Sequence, residues 1–141
     1  MLKGAAAIML AMWASATVMA DETSFRTRLS MVPIDPATAA NVTGVGEAHA
    51  VLDGQTLTVT GSFNGLQGPA TAVHLYAGAY TGIRGEPFAE LTVTRAPMGS
   101  ISGNVELTPP QIEALQAGRV YVQIDSEAAP EGNLWGWLLA N

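Results

Sequence analysis

From Phe25 onward, apolar and polar residues alternate with a period of two, and clusters of Gly, Pro, Asn and Asp cut the alternation into short runs. Phe25 and Leu29 bracket the first run, Phe25-Arg26-Thr27-Arg28-Leu29. Ala48, Ala50 and Leu52 alternate with Glu47, His49 and Val51 up to Asp53-Gly54. Beyond that pair, Leu57, Val59, Gly61 and Phe63 alternate with Thr56, Thr58, Thr60 and Ser62. Two such runs about an Asp-Gly turn predict a hairpin. The alternation returns in Val73, Leu75 and Ala77, in Ala89, Leu91 and Val93, and in Ile101, Gly103, Val105 and Leu107. It returns again in Val120, Val122 and Ile124, and in Leu134, Gly136 and Leu138. A period of two puts one face of each strand in a core and the other outside. No strand is a continuous apolar run, which disfavours a parallel α/β sheet. About eight short strands at this spacing predict an antiparallel sandwich or barrel.

One stretch breaks the period. Thr108 is a good N-cap, Pro109 suits the first helical position, and Gln111 stands three residues after the cap. Together they predict a capping box opening a short helix over 109–117. Ile112 and Leu115 share a face of it, and Gly118 is a ready stop. Between the strands, Met31 to Gly46 reads as a loop with a turn at Asp35-Pro36, and the three glycines of Gly78 to Pro87 mark a surface loop.

The first twenty residues follow another pattern. Lys3 precedes an apolar run from Ala5 to Trp13, and Val18-Met19-Ala20 precedes Asp21-Glu22. Small residues at −3 and −1 predict a signal peptide cleaved after Ala20, leaving one domain over 21–141. The run is shorter than the ~20 residues a spanning helix needs, so stable membrane insertion after cleavage is not expected. A chain without Cys needs no oxidative folding, which suits a periplasmic or secreted protein. Cleavage removes Lys3 and takes the formal net charge from −6 to −7. That balance argues against nucleic acid as a partner, since binding it requires clustered cations.

The order of segments resembles the CHRD (chordin) domain family. Leu66-Gln67-Gly68-Pro69-Ala70-Thr71-Ala72-Val73-His74-Leu75-Tyr76 is similar to the family's GL.GPATAAHIH segment. Ala117-Gly118-Arg119-Val120-Tyr121-Val122-Gln123-Ile124-Asp125 is similar to its AGxLYVNIHT strand. Pro130-Glu131-Gly132-Asn133-Leu134-Trp135-Gly136-Trp137-Leu138 is similar to its closing PxGEIRGQL. The resemblance implies an antiparallel, immunoglobulin-like Greek-key β-sandwich in secreted proteins, with no well-established enzymatic activity. The chain also departs from the family. The HxH of the first segment becomes His74-Leu75-Tyr76, the histidine of NIHT becomes Asp125, and polar positions of the last segment become Asn133, Trp135 and Trp137.

Candidate chemistry is sparse. His74, Tyr76 and Asp125 are possible hard ligands, with His49 on another strand, but a lone strand histidine is more often simply hydrogen-bonded, so no metal and no cofactor is expected. There is no Cys and no GxSxG, and Glu127, Glu131, Glu86 and Glu90 fall at solvated positions, so no catalytic set emerges. The aromatic residues are more informative. With Leu134, Gly136 and Leu138 inward, Trp135 and Trp137 face outward. A hairpin centred on Ala129 sets Tyr121 opposite Trp137 and Gln123 opposite Trp135. Tyr121, Trp135 and Trp137, with Tyr80 in the glycine-rich loop, are the candidate contact residues for an unknown protein or extracellular ligand. Two other readings stay open. Such pairs also stabilise sheets, and the N-terminal segment or the 78–85 loop, through Tyr80 and Ile83, could cover them.

Overall fold

The computed structural model describes residues 22–33 and 36–141. The expected leader with its cleavage after Ala20, and Asp35 of the expected turn, lie outside the described residues. Among the described residues nine strands and one α-helix follow one another: β1 (Glu22–Met31), β2 (Val45–Asp53), β3 (Thr56–Asn64), β4 (Ala70–Ala77), β5 (Glu86–Val93), β6 (Gly99–Glu106), α1 (Pro109–Gln116), β7 (Val120–Ser126), β8 (Leu134–Trp137) and β9 (Leu139–Ala140). Ala39–Asn41 adds a 3-10 turn in the β1–β2 loop.

The fold is all-β with one short helix, as the alternation predicts. All pairings are antiparallel, in the order β2-β3-β6-β5-β4-β7-β8-β1, with β1 pairing back onto β2. The expected two-sheet sandwich is therefore closed into an eight-stranded barrel, with β9 added on β1. Two strands make the closure because each serves two neighbours at a corner. β1 pairs β2 from Glu22 to Leu29 and then β8 at Ser30 and Met31. β5 pairs β4 through Leu91 and then β6 only at Thr92 and Val93. Closure leaves few free strand edges, which protects an all-β chain against edge-to-edge association. In the order β7-β4-β5-β6, β7 returns by the long connection through the helical segment to lie beside β4, the first of three consecutive strands.

The inward residues are those the alternation picks out. Phe25, Leu29, Leu57, Val59, Val73, Leu75, Ile101, Val122, Ile124, Leu134 and Leu138 are all buried in one cluster. Gly54 and Gln55 turn β2 into β3, with Asp53 opposite Thr56 and Leu52 opposite Leu57, and Gly54 takes a positive φ of 65°.

Helix α1 occupies the long connection between β6 and β7. Thr108 Oγ1 accepts from the Gln111 N–H at 3.4 Å, and the Gln111 side chain accepts from the Thr108 N–H at 2.9 Å, completing the capping box. At the other end Gly118, at φ 76°, lets its N–H reach the Leu115 carbonyl and that of Arg119 reach the Ala114 carbonyl. This left-handed stop turns the chain directly into β7. Leu115 and Ala114 are buried against the barrel. Among the described residues no helix is long and apolar enough to cross a membrane.

One strand breaks the alternation. β7 is buried at every position except Asp125, which is half-buried. Its inner face, Val120, Val122 and Ile124, was expected to be covered. Its outer face is covered as well, and that cover is the candidate site.

Candidate functional site

The site lies on the outer face of three adjacent strands, β4, β7 and β8. Register brings its residues together. Tyr76 of β4 pairs with Tyr121 of β7, and His74 with Gln123. Tyr121 pairs with Trp137 of β8, and Gln123 with Trp135, as the hairpin centred on Ala129 predicts. Side chains two apart along a strand share a face, so His74, Tyr76, Tyr121, Gln123, Asp125, Trp135 and Trp137 form one surface.

The rings on that surface pack on each other. Tyr76 and Tyr121 stack nearly parallel, 4.8 Å between centroids. Tyr121 meets Trp137 at 4.4 Å and Trp135 at 5.4 Å, and the two tryptophans meet edge to face at 5.5 Å. Offset and edge-to-face contacts suit the ring quadrupoles. Gly136, between the tryptophans, lies close against β1. A Cβ there would lie 2.7 Å from the Arg28 carbonyl oxygen.

The loop between β4 and β5 closes over these rings. Gly78 donates to the Arg119 carbonyl at 2.9 Å, and Arg119 Nη1 donates to the Gly78 carbonyl at 3.1 Å. Thr81 Oγ1 donates to the Gly118 carbonyl at 2.7 Å. The Gly85 N–H donates to the Tyr121 hydroxyl at 3.1 Å. The neck of the loop needs glycine, because a Cβ at Gly78 or Gly85 would run into the backbone carbonyls of Ile83 and Ala77. The Arg84 guanidinium sits over the Trp135 ring, 5.0 Å from its centroid, in cation–π range.

Gln123 links the loop to the barrel. It is only 3% exposed, so its amide needs partners. Its Oε1 accepts from Arg84 Nη1 at 3.1 Å, and its Nε2 donates to Asp125 Oδ1 at 3.0 Å and to the Glu131 carbonyl at 3.3 Å. Gly132, at φ 138°, makes room for it, since a Cβ there would stand 2.9 Å from Nε2. A second buried amide fixes the β7–β8 loop. Asn133 accepts from Ser126 Oγ and donates to the Thr43 carbonyl, both at 2.7 Å. Beside these loops a cavity of about 350 Å³ opens, lined in part by Val32, Val42, Ala129, Arg84, Glu131 and Gly132.

The surroundings shift two groups. Burial pushes the Asp125 carboxyl above its ordinary 3.8, against the Gln123 hydrogen bond and the nearby His74 and Arg84, which favour the charged form. Burial, with Asp125 and Tyr121 nearby, also raises the Tyr76 hydroxyl, and Arg84 opposes that rise.

Of the sequence candidates, Tyr121, Trp135 and Trp137 come together, but they do not form an open patch. Tyr121 is 1% exposed and cannot touch a partner directly, and Trp135 and Trp137 are half-buried. The loop covers them as one of the open readings had it, but through Arg84 and Gly85. Tyr80 and Ile83, expected to lie over the cluster, are 72% and 53% exposed, and Tyr80 joins none of the ring contacts among the described residues. His74, Tyr76 and Asp125 share the face, yet the Asp125 carboxylate is engaged by Gln123. His49 lies on β2, half-exposed and 4.0 Å from Glu47. Among the described residues no three His, Asp or Glu side chains are grouped to hold a metal ion. His74 Nδ1 is buried without a hydrogen-bond partner. Arg84 was missed. It stands 39 residues from Gln123 in sequence, and only its place between two glycines could have drawn notice.

The site is thus a group of aromatic residues beneath a polar-clamped loop on the outside of an all-β barrel. The CHRD domain family model matches residues 25–138, so the chain belongs to the CHRD domain family. No curated protein and no solved structure compared with the chain matches it.

The Asp125 shift has a pH consequence. In the window above 3.8 the folded state holds this proton more tightly than the unfolded state, so the group's contribution to stability falls as pH rises through its raised value. Asp125→Asn retains an oxygen for Gln123 and cannot ionise. It is expected to unfold at higher denaturant than wild type at pH 7, with the difference shrinking below pH 3.8. Urea titrations at several pH values measure this, and equal stability at pH 7 contradicts it.

Proposed function

We propose that this CHRD domain is an exported, non-enzymatic binding module whose recognition surface is the loop-covered face of β4, β7 and β8. The observation that carries the proposal is the Trp135–Trp137–Tyr121 cluster, which lies under an Arg84-bearing loop and beside a cavity. Half-buried tryptophans next to a cation supply much contact area at little entropic loss, as binding surfaces do. Export is supported by the leader-like start, and the partner class is a protein or an extracellular ligand. The acidic balance favours a partner that is not itself polyanionic.

Trp135→Ala and Trp137→Ala are expected to abolish capture of the partner from the exported fraction of the source cells. Each should destabilise the barrel by only about 1–2 kcal/mol, less than truncation of a fully buried tryptophan. If both variants unfold instead, the cluster is structural and the surface lies elsewhere.

Export has its own measurement. Intact mass of the protein recovered from the source cells should show a chain beginning at Asp21. A chain that retains Met1 contradicts cleavage after Ala20.

A further inference from the structure

We infer that this face holds a seat for an N–H-bearing organic cation, a guanidinium or an alkylammonium, and that Arg84 occupies the seat until such a cation displaces it. The inference rests on the binding surface proposed above. The seat has three parts. The Trp135 ring face lies 5.0 Å from the Arg84 guanidinium carbon. Gln123 Oε1 accepts from Arg84 Nη1 at 3.1 Å, and it is turned toward the cation because its Nε2 is held by Asp125 and the Glu131 carbonyl. Asp125 on the same face and Glu131 on the cavity wall supply negative charge.

The geometry narrows the ligand. The rings touch each other at 4.4 to 5.5 Å, so nothing can slide between them. Trp135 stands edge-on to both Tyr121 and Trp137, and its free face is the one the Arg84 guanidinium covers. The ring face open to a ligand is that of Trp135, where Arg84 now sits. A fixed carbonyl acceptor selects cations that carry N–H groups over quaternary ammonium, which carries none. Arg84 makes no ion pair among the described residues and its side chain is exposed. It is held by a ring and an amide, and is therefore replaceable. The cavity of about 350 Å³ beside it has room for the rest of a small ligand. The occupied seat lowers the apparent affinity by the fraction of molecules in which Arg84 has withdrawn.

The test is an NMR titration of the full chain with ethylguanidinium chloride at constant ionic strength, following the Trp135 indole N–H and the Gln123 side-chain amide. Both signals should shift saturably in wild type, and Arg84→Ala should bind at least about ten-fold tighter because the competitor is gone. Tetramethylammonium at the same concentration should leave the Gln123 amide unmoved. A blocked Gly-Arg-Gly peptide separates the two sources of this chemistry. Tighter binding of the peptide assigns the seat to a partner's side chain, and weaker binding assigns it to a free cation. Arg84→Met, which keeps the aliphatic stem, replaces the alanine variant if that one does not fold. The inference is overturned if removing Arg84 leaves the affinity unchanged, or if sodium chloride produces the same shifts. If it fails while Trp135→Ala still abolishes partner capture, the cation seat is lost and the binding surface stands.

Discussion

The buried amide of Gln123 is the constraint on which the outer face depends. A strand of a small barrel normally leaves one face to solvent. β7 does not, so any polar side chain on its outer face must find partners inside the protein. Gln123 does so with both ends of its amide, at Arg84 on one side and at Asp125 and the Glu131 carbonyl on the other. An unmatched buried amide would cost about 1–3 kcal/mol. The β4–β5 loop and the β7–β8 loop are therefore fixed through the same side chain. Asn133 repeats the device one loop further out, tying Ser126 to the Thr43 carbonyl.

The rings and the amide divide the work. Each aromatic pair adds roughly 0.5–1.5 kcal/mol beyond simple burial, and four close pairs converge here. The rings therefore add to the backbone pairing that holds β4, β7 and β8 together on this side. Their contacts tolerate small slips, whereas hydrogen bonds from Gly85 to Tyr121 and from Arg84 to Gln123 do not. The polar contacts thus set where the loop lies, and the rings set how firmly the strands beneath it cohere. Arg84 belongs to both groups, through the Trp135 ring and the Gln123 oxygen.

Much of the barrel was legible because its information is local. A period of two marked the inward Val122, Ile124 and Leu134. Asp53-Gly54 marked a hairpin, and Thr108 with Gln111 marked the helix start. The β7–β8 register followed from the short loop centred on Ala129. Closure was not legible, because it depends on β1 and β5 each dividing their length between two neighbours, and no residue pattern records that. The cover over the site was only half legible. Tyr80 and Ile83 attracted notice as the large apolar residues of a glycine-rich loop, yet both point to solvent. The groups that bind the loop down are the Arg84 guanidinium, the Thr81 hydroxyl and backbone N–H groups, and their partners lie 36 and more residues away. Composition cannot reveal a pairing at that distance.

Specific polar bonds close the 78–85 loop over the rings. Amide hydrogen exchange at Gly85 tests this closure most directly, because that N–H has one partner, the Tyr121 hydroxyl. In wild type the Gly85 amide should exchange at least about ten-fold more slowly than that of Gly82 at the exposed tip of the same loop. Tyr121→Phe keeps the ring and removes the oxygen, and should abolish the difference while leaving Val122 and Ile124 protected. A Gly85 amide that exchanges as fast as Gly82 in the wild-type protein would contradict the account.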